Sequence, residues 1–319
     1  MRALLLTLGL LLAMPGHGQS AHADLHAPLA RADAALAAQD YPAAYEAYAG
    51  HAADNPLAQF NLALFEQQGW GRPANPPAAC AWFEQAAHHT IPAAQQFWGD
   101  CLAAGVTRAP NGPEALAWYA EAAASGIAGA LCSAGDLYIQ GTLVARDVAR
   151  GLALCTAAAQ QASLPAMVKL ADYYRTSTDL PRARFWYRQA AQRHSLEAQW
   201  RLGVMLSEGT GGAADPAEAR FWFESAALEG YAPAYLPAAI LYANAPLDTA
   251  TGALAPADLA RVYMWNQAAR ARTTNPQQLA EIARIDALVS AVMPEEWRLS
   301  LDSKVTRHLA RHPAKPPAP

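Results

Sequence analysis

Four cysteines, one histidine pair and three evenly spaced aspartates are the residues of this 319-residue chain whose types could do chemistry. Cys80, Cys101, Cys132 and Cys155 form an even set, with no Cys-x-x-Cys pair and no spacing that matches a zinc motif. In an oxidising compartment such a set makes disulfides; the competing reading is four buried thiols, because cysteine packs well as a small core residue. His88 and His89 are adjacent. Neighbouring side chains on a helix point about 100° apart, which favours a solvated helix end over a shared metal or ligand contact. Gly-x-Ser-x-Gly, Ser-x-x-Lys, His-Glu-x-x-His and phosphate-loop arrangements are missing from the sequence. The expectation is a protein with no catalysis, no cofactor and no metal site. Asp100, Asp136 and Asp172 are left, 36 residues apart, and that interval asks which elements place them.

The elements are a repeated pair of helices. The stretch "DPAEARFWFESAA" from Asp215 returns in outline as "NPPAACAWFEQAA" from Asn75, "NGPEALAWYAEAA" from Asn111 and "DLPRARFWYRQAA" from Asp179. An anchor position falls at Tyr48, Trp82, Trp118, Leu154, Trp186, Trp222 and Trp265. Seven residues before six of these stands Asn75, Asn111, Asp147, Asp179, Asp215 or Asp258, a residue type that accepts hydrogen bonds from the free N–H groups of a first helical turn. Alanine pairs such as Ala86-Ala87 and Ala226-Ala227 follow. A second set of helices is centred on the small residues Ala63, Gly99, Gly135, Ala171, Gly203 and Ala239. Such a pair cannot bury its apolar face alone, and stacking the pairs builds one core. The tryptophans at a fixed helical position are read as packing anchors rather than as a stacking platform for a ligand.

Composition agrees with a globular protein. The chain is 53% hydrophobic and 16% charged, with a formal net charge of −4. That charge is too small and of the wrong sign for a nucleic-acid binder. Residues 1–23 read as a cleavable signal peptide: Arg2, an apolar run from Ala3 to Met14, Pro15-Gly16, then Ala21-His22-Ala23. The apolar run is too short to span a ~30 Å hydrocarbon core, and no stable membrane insertion of the mature chain is expected.

Gly209-x-Gly211, Asp215-x-x-x-Ala219-x-x-Trp222-Phe223, Ala226-Ala227 and the preceding Leu202-Gly203 resemble the Sel-one-like repeat, a relative of the tetratricopeptide repeat. The fold class is then all-α, an α-solenoid (a right-handed superhelix) of stacked helix-turn-helix repeats. Residues 24–56 read as a degenerate N-terminal helical pair, 57–272 as the repeats, 273–312 as C-terminal capping helices and 313–319 as a disordered tail. The resemblance implies a periplasmic scaffold or adaptor for envelope assemblies of a Gram-negative bacterium, binding a protein or peptide partner. Two other classes stand beside it: a cell-wall ligand-binding protein or hydrolase of the β-lactam or peptidoglycan type, and a structural component of an envelope machine.

The register assigns faces. In tetratricopeptide-type solenoids the residue after the small centre points to the concave surface, so the resemblance puts Asp100, Asp136 and Asp172 in an acidic column there. Adjacent first helices lie ~10 Å apart, about one Debye length at 0.1 M salt, so the mutual repulsion is small. Ordinary solvated charge or local hydrogen bonding is the alternative. Phe60, Trp200 and Leu236, three residues before their centres, are also expected in the groove. The register pairs the cysteines too. The midpoint of 80 and 101 falls in the turn joining two helices, and that of 132 and 155 in the loop within one repeat. Each pair can therefore sit at matching height, which gives Cys80–Cys101 and Cys132–Cys155.

Overall fold

The computed structural model describes residues 25–313. The expected leader over 1–23 and all but the first residue of the expected tail lie outside them. Among the described residues there are sixteen α-helices and two short 3-10 turns, with no strand. They form two compact units that meet at residues 166 and 167.

The first unit carries α1 (Ala30–Ala37), α2 (Tyr41–Ala49), α3 (Pro56–Gln68), α4 (Pro76–His88), α5 (Pro92–Ala104), α6 (Gly112–Ala124), α7 (Ala128–Gln140) and α8 (Val148–Gln160). Each packs on the next, as short connections between neighbours require. α9 (Leu164–Thr176) contains the boundary. The second unit continues with α10 (Leu180–Ala191), α11 (Leu196–Glu208), α12 (Pro216–Leu228), α13 (Tyr235–Ala243), α14 (Pro256–Arg270), α15 (Pro276–Val292) and α16 (Trp297–Arg311). Both units are stacks of helix pairs, the α-solenoid architecture.

The caps act where the sequence places them. Asn75, Asn111, Asp147, Asp179 and Asp215 each accept from the N–H three residues on, at 2.9–3.2 Å. Asp258 does not. It lies inside the first turn of α14, whose N-cap is Ala255. Pro256 suits the first helical position, so the helix starts three residues earlier than the repeat register implies.

The anchor position also needs correcting. Trp222 and Trp265 are buried, but Trp82, Trp118 and Trp186 are only half-buried. The ring that fills the core is one residue further on: Phe83, Tyr119, Tyr187 and Phe223. It packs against the small centre of the preceding helix. A Cβ added to Gly99 would come within 2.6 Å of the Tyr119 ring, and one on Gly203 within 2.8 Å of Phe223. Gly99→Ala is therefore expected to destabilise by ~1–3 kcal/mol through overpacking, seen as a lower midpoint in urea. A midpoint equal to the parent's would mean that the ring moves aside freely.

The last two helices both pack on α14. The fully buried Asn266 donates to Ile282 O at 3.0 Å and to Asp286 Oδ1 at 2.6 Å. Tyr263 OH donates to Asp302 at 2.7 Å, and Tyr235 OH meets His308 Nε2 at 3.0 Å. They cover one side of the terminal pair, as the last element of a stack must. No helix among the described residues is long and apolar enough to cross a membrane.

Candidate functional site

The cysteines are paired as the register requires. Cys80 of α4 bonds Cys101 of α5 with Cα atoms 5.8 Å apart, and Cys132 of α7 bonds Cys155 of α8 at 4.0 Å. No described cysteine is free. His88 and His89 are exposed at the end of α4, and His88 lies edge-on to Trp118, with ring centroids 5.1 Å apart.

The aspartates have partners that sequence reasoning did not supply. In the first unit Asp100 Oδ1 accepts from Tyr119 OH at 2.7 Å. In the second, Asp172 Oδ1 accepts from Tyr187 OH at 2.5 Å, with Arg175 at 3.6 Å and Arg201 at 3.9 Å. Both bonds join the residue after the small centre to the residue after the anchor. The sequence carries the signal as an alternation. Tyrosine follows the anchor where aspartate follows the centre (Tyr119, Tyr187). Phenylalanine follows it where the centre is followed by Leu64 or Val204 (Phe83, Phe223). In the remaining aspartate repeat the tyrosine position is Cys155.

Burial first, and then the facing carboxylate, hold the phenols of Tyr119 and Tyr187 well above their ordinary range. The same two causes act on Tyr48, facing Asp33, and on Tyr242, facing Glu224. The folded chain thus favours the neutral phenol. Its contribution is complete below about pH 10, where an unfolded tyrosine titrates, and is lost as pH rises toward the higher folded values. The melting temperature is expected to fall above about pH 10, and to fall less steeply in a Tyr119→Phe, Tyr187→Phe variant. Equal alkaline slopes in the two proteins would argue against these bonds.

Of the groove candidates, Trp200 has the richest surroundings. It is half-buried on α11 and lines a cavity of about 250 Å³ with Arg175, Tyr187, Arg201, Met205 and Glu208. Tyr231 lies beyond it, ring centroids 6.3 Å apart. Arg201 is held by Glu197, both contacts at 3.0 Å. The cavity offers an aromatic face, two guanidinium groups already shared with acids, and a carboxylate. That mixture can hold an extended peptide with polar side chains. Phe60 is placed differently. It packs against Phe83 and Phe97 at centroid distances of 5.9 and 6.1 Å, which makes it a flank of the core more than a free surface. Leu236 lines a smaller cavity of about 200 Å³ with Arg272 and Gln278. A larger cavity of about 590 Å³ lies among α13, α14, α15 and the start of α16; its lining, including Leu247, Leu254, Ile285, Leu288, Val292 and Trp297, carries no charged group.

Comparison with known proteins bears on the repeat. The family model for the Sel1 repeat matches residues 56–89, 92–127, 128–163, 164–195 and 196–231, together more than half of the chain. None of the curated proteins compared matches it. Among solved structures, a protective antigen present in uropathogenic Escherichia coli strains and displaying an SLR fold is 21% identical with a TM-score of 0.56, over 84% of this chain and 56% of that one. The chain thus spans little more than half of that antigen. A Sel1 repeat protein from Oxalobacter formigenes is 24% identical with a TM-score of 0.56, over 77% of this chain and all of that one. At these identities the likeness is one of fold.

Proposed function

The chain belongs to the Sel1 repeat family, and from that premise we propose that it is a non-catalytic scaffold, exported to the periplasm, that holds a protein or peptide partner on its concave face. The fold is of a type typical of protein–protein interaction scaffolds. The observation that carries the reading to a site is the Trp200 cavity, where an aromatic face sits among paired charges. Aromatic and arginine side chains in such pockets are the usual anchors of protein interfaces. Export rests on the sequence of residues 1–23, and the two disulfides suit an oxidising compartment.

One observation favours a second reading, a structural part of an envelope assembly that docks by its end. Leu247, Leu288 and Val292, at the mouth of the apolar cavity, are 57–68% exposed, and an exposed apolar patch marks a contact surface. The cell-wall ligand reading gains nothing from that cavity, because its lining carries no charged group to fix a polar ligand.

A photo-crosslinker placed at position 200 or at position 292 in cells separates the two. The scaffold reading expects a discrete adduct from position 200. Trp200→Ala should reduce partner recovery roughly tenfold or more, as loss of an aromatic anchor does. Adducts from position 292 alone would replace the groove by the end.

A further inference from the structure

The bridge in the α7–α8 pair is placed differently from the other one. Asp136 stands one turn along α7 from Cys132 and faces α8. The Sγ atoms of Cys132 and Cys155 and a carboxylate oxygen of Asp136 all lie within 4.8 Å of one another. No other trio of histidine, cysteine or acid among the described residues meets that condition, so Cys80–Cys101 has no such third donor. The repeat itself aims the carboxylate. Asp100 and Asp172, at the equivalent position, place an oxygen on the side chain that follows the anchor, at 2.7 and 2.5 Å. In this repeat that side chain is Cys155 instead of a tyrosine. The phenol of Tyr119 also feels the charge of Asp136, which places that carboxylate on the same side of the stack.

The scaffold around the trio is closely packed. Gly135 and Gly151 bring the two backbones into contact: a Cβ on either would lie 2.5–2.6 Å from the other's carbonyl oxygen, and one on Gly135 would lie 3.1 Å from Cys155 Sγ. Both cysteines are buried, while Asp136 is half-exposed. In this pair two sulfurs and a carboxylate oxygen lie close together, with the cysteines buried and Asp136 partly exposed.

We propose that Cys132, Cys155 and Asp136 are a redox-gated site for a thiophilic divalent cation of the zinc class. In the oxidised chain the sulfurs are bonded to each other and no thiolate is present to ligate. A dithiol gives up two electrons and two protons and closes to its own disulfide, or a phosphine gives two electrons and becomes its oxide with the oxygen of a water whose two protons go to the sulfurs; in either case the S–S bond breaks and two thiols form. The cation then displaces both thiol protons and takes two thiolates, the Asp136 carboxylate and one water, a four-coordinate set of the kind that leaves one position open. Such a site makes the α7–α8 pair responsive to reducing conditions, independently of any partner in the groove.

The test uses the full chain, Co²⁺ as the probe, a phosphine reductant and competition by Zn²⁺. The reduced chain is expected to take one Co²⁺ with thiolate charge-transfer absorption, and the oxidised chain none. Cys80→Ser, Cys101→Ser should retain this binding, and Cys132→Ser, Cys155→Ser should abolish it. Asp136→Asn should weaken it about tenfold or more, since even outer ligands change metal affinity by 10–100-fold. Absence of the absorption in the reduced parent, or its survival without Cys132 and Cys155, overturns the site. Equal affinity in parent and Asp136→Asn does so as well, because it would mean that two thiols in a loosened chain bind the metal without the third donor.

Discussion

Trp222→Ala is expected to lower stability by ~3–5 kcal/mol, the range of large aromatic truncations in cores. The ring is 9% exposed on α12, lies edge-on to Phe221 at 4.9 Å, and its Nε1–H donates to Glu218 at 3.0 Å. The next ring along the helix, Phe223, already fills the space opposite Gly203 and is not free to collapse into the gap. α12 packs on both α11 and α13. In a stack where each pair leans on its neighbours, the loss should spread to those helices, visible as faster amide exchange in both. Trp186 provides the internal comparison. It occupies the same repeat position but is only half-buried, so Trp186→Ala should cost distinctly less. Equal losses for the two, or a Trp222→Ala melt within a degree of the parent, would show that burial does not distinguish them.

That contrast shows what the sequence could and could not convey. The helix pairs, their caps and the disulfide partners follow from period, and period is a property of the chain alone. Asn75 and Asp215 cap because an acceptor before a proline has few other roles. The depth of each ring is not periodic. It depends on the size of the residue opposite, Gly99 against the Tyr119 ring of α6 or Gly203 against the Phe223 ring of α12. The identity of the core ring was therefore misplaced by one residue. Asp258 failed for a similar reason: a longer connection lets Pro256 restart the helix out of register. The partners of Asp100 and Asp172 were legible in principle, since tyrosine and aspartate vary together along the repeats. Finding them needs two helices compared at once rather than one position followed along the chain. The cavity at Trp200 was not legible beyond its aromatic residue, because Arg175, Arg201 and Glu208 come from different turns of two helices.

Removing either disulfide is expected to lower stability by ~3 kcal/mol, from the entropy of closing a loop of this size in the unfolded chain. The two bridges close separations of 21 and 23 residues, so this account requires nearly equal losses for Cys80→Ser, Cys101→Ser and for Cys132→Ser, Cys155→Ser. For a unit of roughly 140 residues, that amounts to a fall on the order of 6–12 °C in melting temperature. The native packing around the bridges is unequal. Cys132 and Cys155 lie beside the Gly135–Gly151 contact, where the backbones of α7 and α8 already approach closely. Cys80 and Cys101 join α4 and α5, where Cys101 is itself half-buried. If a bridge stabilises mainly by holding folded helices together, its loss should be worse at Cys80–Cys101. If it acts through the unfolded chain, the losses should match despite the difference in packing. Paired thermal melts of the two double variants separate these mechanisms. Non-reducing peptide mapping of the chain isolated without reductant tests the premise that both share: four alkylatable thiols, or a Cys101–Cys132 crosslink, would remove the basis for either outcome and with it the repeat register from which the pairing was read.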